Sequence, residues 1–337
     1  MPKKSQVWRK PILILILSIV IAIILGVRWI SSDYNKDKIS DSIFMLDTLV
    51  TVTLYSENSE LIQKCFDECR RYEMIFSRTN EHSELYALNH SDSMEVSDDL
   101  LSVLKTAIHF CEISDGSFDI TMGEISDMYS FSSDTHRVPS DEELDTALPH
   151  VDYRNITIEG NTVTRNDPAA VIDLGAAAKG YIADRLAEFI LENGETSAII
   201  DLGGNIMCLG SKPDGSDYII GIQYPFKDRT ETITNVSVSQ KSVVTSGIYE
   251  RSFEQDGVMY HHILNPDTGR PFDNELLAVS IISDSSADGD ALSTVCFTLG
   301  VEKGLSLIDS LEGIEAVFVT KDYKLHYSAR FADFESK

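Results

Sequence analysis

Apolar positions along the chain repeat with two different periods. Leu61, Cys65, Cys69, Tyr72 and Phe76 fall at helical spacing within residues 59–76, and Leu101, Leu104, Ile108 and Cys111 do so within 98–113. A third helical stretch carries Ile182, Leu186, Phe189 and Ile190 and closes at Gly194, a residue suited to the left-handed position past a helix end. A fourth, SADGDALSTVCFTLG, ends at Gly300, with a last helix near 302–311. Pro139-Ser140 opens a short helix. The other period is two. Residues 43–55 alternate through Val, Thr and Tyr and predict one strand. Strands are also expected at 218–223, 232–239, 249–253, 258–264 and 277–282. Residues 171–173 form an apolar strand that turns directly into the third helix, and SAIIDLGGNIMCLG is a strand running into Gly203-Gly204-Asn205. Glu159-Gly160-Asn161 and Gln255-Asp256-Gly257 mark hairpin turns, and a strand pair surrounds Lys321-Asp322. SDGSFDITMGEI reads as a turn followed by a short apolar piece. Helices and strands mix without strict βαβ alternation, which predicts an α+β fold of mixed sheets with packed helices.

The N-terminus breaks this pattern. Residues 11–30, PILILILSIVIAIILGVRWI, hold one charge, Arg28, and follow Lys3, Lys4, Arg9 and Lys10. Such a run spans a bilayer once, with Arg28 snorkelling and Trp29 at the interface. The basic flank keeps 1–10 in the cytoplasm and places the rest outside. A cleaved secretory signal is the competing reading. No small-x-small cleavage site stands out, and no cysteine follows to accept a lipid. The expected organisation is a cytoplasmic tail (1–10), a transmembrane anchor (11–30), a polar linker (31–42) and an extracytoplasmic body (43–337) of a single-pass cell-membrane protein.

Charge sharpens the picture of that body. Five of the 28 Lys and Arg lie at or before Arg28, whereas all 54 Asp and Glu lie beyond it. So acidic a surface excludes nonspecific binding to nucleic acid or anionic lipid. An anionic ligand would need a local lysine, backbone N–H groups or a metal. The five cysteines are odd in number and lack a Cys-x-x-Cys pair. Cys65 and Cys69 share a helix face; outside the membrane they could oxidise, but buried free thiols are the preferred reading.

Five short stretches carry candidate chemistry. Gly175-Ala176-Ala177-Ala178-Lys179-Gly180 is neither a Walker A loop nor a dinucleotide fingerprint. Its small residues allow close backbone approach, the following helix N-terminus offers N–H groups to an anion, and Lys179 adds a charge. Asp173 just before it can accept hydrogen bonds from a base or ribose, or lie near a metal. A tight turn kept small for packing explains the same residues. In SADGDALST, Asp290 and Thr294 are four apart on one helix face and with a nearby carbonyl make an oxygen set suited to Mg²⁺ or Ca²⁺. The bland alternative has Asp288 capping the helix and Thr294 bonding back to the Asp290 carbonyl. YHHILNPDTG places His261 and His262 on opposite faces of a strand, which disfavours a shared zinc ion and leaves one histidine as an acid or base. DGSFDITMG packs two glycines and two acids into nine residues. TSGIYER contains Ser246 without a nucleophile elbow, so a serine hydrolase is disfavoured.

Taken in order, LDTLVTVTLY, FSRTNEHSEL, DGSFDITMG, IDLGAAAKGYIAD, LGGN, TSGIYER, HHILNPDTGRP and DALSTVCFTLG resemble the ApbE family of FAD:protein FMN transferases, across roughly residues 44–319. The resemblance implies a T-fold-related, two-lobed single unit. It implies an enzyme that binds FAD with Mg²⁺ and moves FMN to a Thr or Ser hydroxyl of an acceptor protein, releasing AMP. In that reading Asp290, Thr294 and the carbonyls of Ala176 and Ser293 hold the metal, and Lys179 and Asp173 hold FAD. Ser117, Phe118, Asp119 and Ile263 line the flavin or adenine site, Leu46 contacts the cofactor, and His262 is the general base. Leu46-Asp47-Thr48 stands where many members have Met-Gly-Thr, and Gly-Ala-Ala-Ala-Lys-Gly where many have Gly-Gly-Ile-Ala-Lys-Gly. Many members are lipoproteins; here the apolar helix would replace that anchor. Hydrolysis of FAD to FMN and AMP, or flavin carriage without turnover, are the alternative readings.

Overall fold

The computed structural model describes residues 38–131 and 135–336. The expected anchor at 11–30 lies outside the described residues, as does most of the linker. In chain order the strands are β1 (Ile39–Met45), β2 (Thr48–Leu54), β3 (Ser93–Glu95), β4 (Ile156–Glu159), β5 (Thr162–Arg165), β6 (Ala198–Leu202), β7 (Asn205–Leu209) and β8 (Tyr218–Gln223). They continue as β9 (Thr232–Val238), β10 (Lys241–Gly247), β11 (Ser252–Gln255), β12 (Val258–His261), β13 (Leu276–Ser283), β14 (Glu315–Thr320) and β15 (Leu325–Tyr327). The helices are α1 (Ser59–Phe76), α2 (Glu84–Asn89), α3 (Asp98–Ile113), α4 (Gly123–Tyr129), α5 (Asp141–Ala147), α6 (Ala178–Glu192) and α7 (Ser286–Asp309).

An antiparallel sheet in the order β1-β2-β6-β7-β10-β13-β14-β15 organises the molecule. Alternation along its central strands buries both faces. Ile281, Ala316 and Phe318 line the core under the helical layer, and Val244 of β10 packs against Gly289 of α7. Val243, Ile282 and Val317 pack under the β8–β9 ribbon through Tyr218, Ile220 and Val236. A smaller cluster joins Ile125, Tyr129 and Leu144 of α4 and α5 to Phe253 and Leu264 beside β11 and β12. The fold is α+β, as expected. α7 is buried around most of its first half, and Gly300 interrupts it at φ 76, where two consecutive helices were expected. By length and composition α7 alone among the described residues could cross a membrane, but half of that stretch is buried inside the protein.

Several elements differ from the sequence reading for local reasons. Residues 43–55 are a hairpin, because Leu46 and Asp47 both turn left-handed at φ 54 and 55. The 198–209 stretch is likewise a hairpin, reversing at Gly203 and Gly204. Residues 171–173 make a single bridge, Met122 to Val171. Their backbone is instead clamped by the Asn89 amide, which donates to Ile172 O (2.9 Å) and accepts from Ile172 N (2.8 Å). The 249–253 stretch is mostly the turn before β11, and β10, β3, α2 and α4 were not anticipated. All five cysteines are buried free thiols, and burial pushes Cys65 and Cys69 up to about 12.

Candidate active site

The site is built where α6 crosses the start of α7. Asp184 of α6 accepts from Ser286 N (2.8 Å) and Ala287 N (3.0 Å), occupying the helix N-terminus with a carboxylate. Ser285 is the cap, accepting from Asp288 N (3.1 Å), so Asp288 is not the capping residue. The crossing is close enough that a Cβ on Gly180 would lie 2.1 Å from Ser286 O. That contact explains why the first turn of α6 carries no side chain at this position. Gly180→Ala is expected to force the helices apart, with a loss of about 1–3 kcal/mol, the usual range for overpacking. A thermal melt checks this; an unchanged midpoint would show that the crossing yields freely.

The same approach carries Gly180 N to Asp290 Oδ2, 2.9 Å away. Asp290 is 4% exposed, and its other oxygen lies 3.7 Å from Lys179 Nζ, which donates to Gly175 O at 2.7 Å. The buried carboxylate is thus served by one N–H and one more loosely placed ammonium. Around it stand hydroxyls. Ser293 Oγ donates to the Asp290 carbonyl (2.8 Å), and Ser246 Oγ of β10 lies 2.7 Å from Ser293 Oγ and 3.2 Å from Thr294 Oγ1. The Asp290 carbonyl is thus served by Ser293, and Thr294 is paired with Ser246.

His262 follows β12. Its backbone N and its ring Nδ1 both meet the Arg251 carbonyl, at 3.1 and 3.3 Å. A carbonyl only accepts, so Nδ1 carries the proton and Nε2 is the basic nitrogen. Burial, then the charges of Arg251 and His261, with Lys179 adding to them, push the imidazole down to about 3. Arg251 also donates from Nη2 to Asp47 O (3.4 Å), tying His262 to the β1–β2 turn. His261 points the other way. It is 6% exposed, donates from Nε2 to Phe272 O (3.0 Å) and meets the Phe297 ring edge. Burial pushes it down to about 4.

The remaining candidates have contacts of their own. Asp173 accepts from Gly175 N (2.8 Å) and pairs with Arg78 Nε (3.4 Å), while Arg78 also holds Asp127. Leu46 N donates to Glu73 Oε1 (3.3 Å), and Ala176 lies in the turn leading to α6. Ser117 Oγ meets Thr298 Oγ1 of α7 (2.9 Å), and Phe118 and Ile263 are core residues. Asp119 is committed locally: one oxygen takes Thr121 N and Oγ1, the other Tyr153 N (2.9 Å). Burial raises its carboxyl above the usual range. The structure therefore joins Lys179, Asp290 and Ser293 by direct contact and adds Thr294 through Ser246, while of these groups the charge of Lys179 acts on His262. Arg78, Asp184, Ser246 and Arg251 support the site and had no assigned role in the sequence, although all four stand inside the quoted motifs FSRTNEHSEL, IDLGAAAKGYIAD and TSGIYER.

The antiparallel sheet is thus backed by crossed helices that bring a lysine, a buried carboxylate and hydroxyls together at the crossing. The chain belongs to the ApbE family, whose model matches residues 46–318. It is similar to the FAD:protein FMN transferase of Klebsiella pneumoniae, 34% identical over 88% of this chain and 95% of that one. It is also similar to that of Treponema pallidum, 33% identical over 94% of each. Among solved structures, the ApbE protein of Thermotoga maritima superposes with a TM-score of 0.82 at 31% identity, covering 89% of this chain and 100% of that one. The flavin transferase ApbE of Vibrio cholerae gives 0.79 at 27% identity, covering 88% and 99%.

Proposed function

We propose that the protein transfers FMN from FAD to a Thr or Ser hydroxyl of an acceptor protein, with Mg²⁺ bound and AMP released. The observation that carries this reading is the pairing of Lys179 with the buried Asp290 carboxylate at one helix crossing, with Thr294 tied to Asp290 through Ser246 and Ser293. The donor chemistry fits the metal. Asp290 supplies a buried carboxylate with the hydroxyls of Ser293, Ser246 and Thr294 nearby, and Mg²⁺ characteristically uses one or two carboxylates together with substrate phosphates. Asp290, Thr294 and the carbonyls of Ala176 and Ser293 would hold it. Bound there, it would neutralise phosphate charge and make the phosphorus more electrophilic.

The chain's own groups do the rest. Lys179 holds the pyrophosphate as a point charge. The acceptor oxygen attacks the phosphorus of the FMN half, the bond from that phosphorus to the bridging oxygen breaks, and AMP departs. The hydroxyl proton passes to His262 Nε2. Incubating the protein with FAD, Mg²⁺ and a candidate acceptor domain tests the reading. Equal amounts of AMP and covalent flavin on the acceptor are expected. AMP and free FMN without labelling would make it a hydrolase, and FAD binding without AMP a carrier.

Residues 11–30 are proposed to anchor this body outside the cell membrane. Full-length protein is then expected in the membrane fraction, with its body digested by protease added to intact protoplasts. A soluble form whose N-terminus begins after residue 26 would make the segment a cleaved signal.

A further inference from the structure

We propose that Ser246 is a positioning residue that aims a lone pair of Thr294 at the metal. The argument rests on the Mg²⁺ reading above and on counting protons. The Asp290 carbonyl is only an acceptor, so the 2.8 Å contact consumes the single proton of Ser293. Ser293 Oγ must then accept across its 2.7 Å contact with Ser246, which consumes the proton of Ser246. Ser246 Oγ can only accept from Thr294 Oγ1, 3.2 Å away. The three hydroxyls thus form a relay with one direction, from Thr294 through Ser246 and Ser293 to the Asp290 carbonyl. Thr294 is left with its proton turned toward β10 and its lone pairs free for a cation.

The relay also ties the ligand to the sheet. Ser246 lies on β10, opposite Val279 of β13, while Ser293 and Thr294 lie on α7. The neighbouring Thr245 Oγ1 is paired with Ser280 Oγ at 2.7 Å and does not compete for these protons. Without Ser246, Thr294 Oγ1–H has no fixed acceptor, and its hydroxyl is free to turn its proton toward the metal.

The test is Mn²⁺ titration of the full chain in the presence of FAD, followed by electron paramagnetic resonance, together with a thermal melt in EDTA. Removing a group that orients a metal ligand typically weakens metal binding by 10–100-fold. Ser246→Ala is expected to weaken Mn²⁺ by at least about 10-fold, with little change in the metal-free melt. Thr294→Val should weaken it as well. The double variant should bind no worse than Thr294→Val alone, because Ser246 acts only through Thr294. Ser246→Thr, which keeps the hydroxyl, should restore binding. Wild-type affinity in Ser246→Ala, or losses that add in full in the double variant, would overturn the relay. If the wild type itself takes up no Mn²⁺, the metal reading beneath it falls.

Discussion

Asp290→Ala is expected to reduce FMN transfer by at least about 10²-fold and to make FAD affinity insensitive to Mg²⁺. Metal stabilisation of a phosphoryl transfer is worth several kcal/mol, and each factor of ten in rate takes about 1.4 kcal/mol. Asp290 is the buried carboxylate of the proposed set, and a threonine hydroxyl with two carbonyls brings no negative charge to replace it. The substitution also removes the acceptor of Gly180 N, so an effect on the helix crossing must be separated from an effect on the metal. Asp290→Asn does this, since its amide oxygen can still accept from Gly180 while the charge is gone. Both variants should lose metal response, and only Asp290→Ala should melt markedly lower. If Asp290→Asn transfers FMN at the wild-type rate at limiting Mg²⁺, the carboxylate serves packing alone.

The route to this site was legible in the sequence where one side chain carries one job. Asp290 and Thr294 four residues apart, and Lys179 at a helix start, are local patterns, and α7 and α6 present them as the spacing predicts. Elements with divided duties were harder to see. β10 runs KSVVTSG, and its Ser242, Thr245 and Ser246 bond to Ser286, Ser280 and Ser293. A central strand that buries hydroxyls does not show the clean alternation of an apolar one. The β1–β2 turn carries neither Gly nor Asn, so nothing in Leu46-Asp47 announced two left-handed residues. The 171–173 piece has strand-like composition, but its partners are the Asn89 side chain and the Ile120 carbonyl, which takes Asp173 N at 2.7 Å.

Long-range partners escaped for a related reason. Asp184 accepts from the first N–H groups of a helix about a hundred residues further on, and Arg78 reaches Asp127 and Asp173, so their roles exist only once the elements meet. The doubled histidine shows the opposite case. Strand alternation was expected to place the two rings on opposite faces; β12 ends at His261, and the two rings meet different partners, His261 meeting Phe272 O and the Phe297 ring and His262 meeting Arg251 O.

His262→Ala is expected to slow single-turnover FMN transfer by on the order of 10²–10⁴-fold, the usual contribution of a general base. A threonine hydroxyl ionises far above neutrality, so attack on phosphorus needs a base in reach. Nε2 of His262 is that base because Nδ1 is fixed to the Arg251 carbonyl. FAD affinity should change little, since Lys179 and the metal hold the phosphates, and added imidazole should restore part of the rate. His261→Ala should behave in reverse, lowering the melting temperature through the cavity it leaves beside Phe297 while sparing the chemical step. The pH dependence follows from the depressed values. With His262 near 3 in the free protein, kcat/KM should show no acid limb around the ordinary histidine value of about 6.5. The unfolded chain takes up these protons first, so stability that is full above about pH 6.5 should decline as pH falls toward 4. Wild-type transfer by His262→Ala would remove the residue from the mechanism. A wild type that binds FAD yet never labels an acceptor or releases AMP would leave the site a flavin carrier.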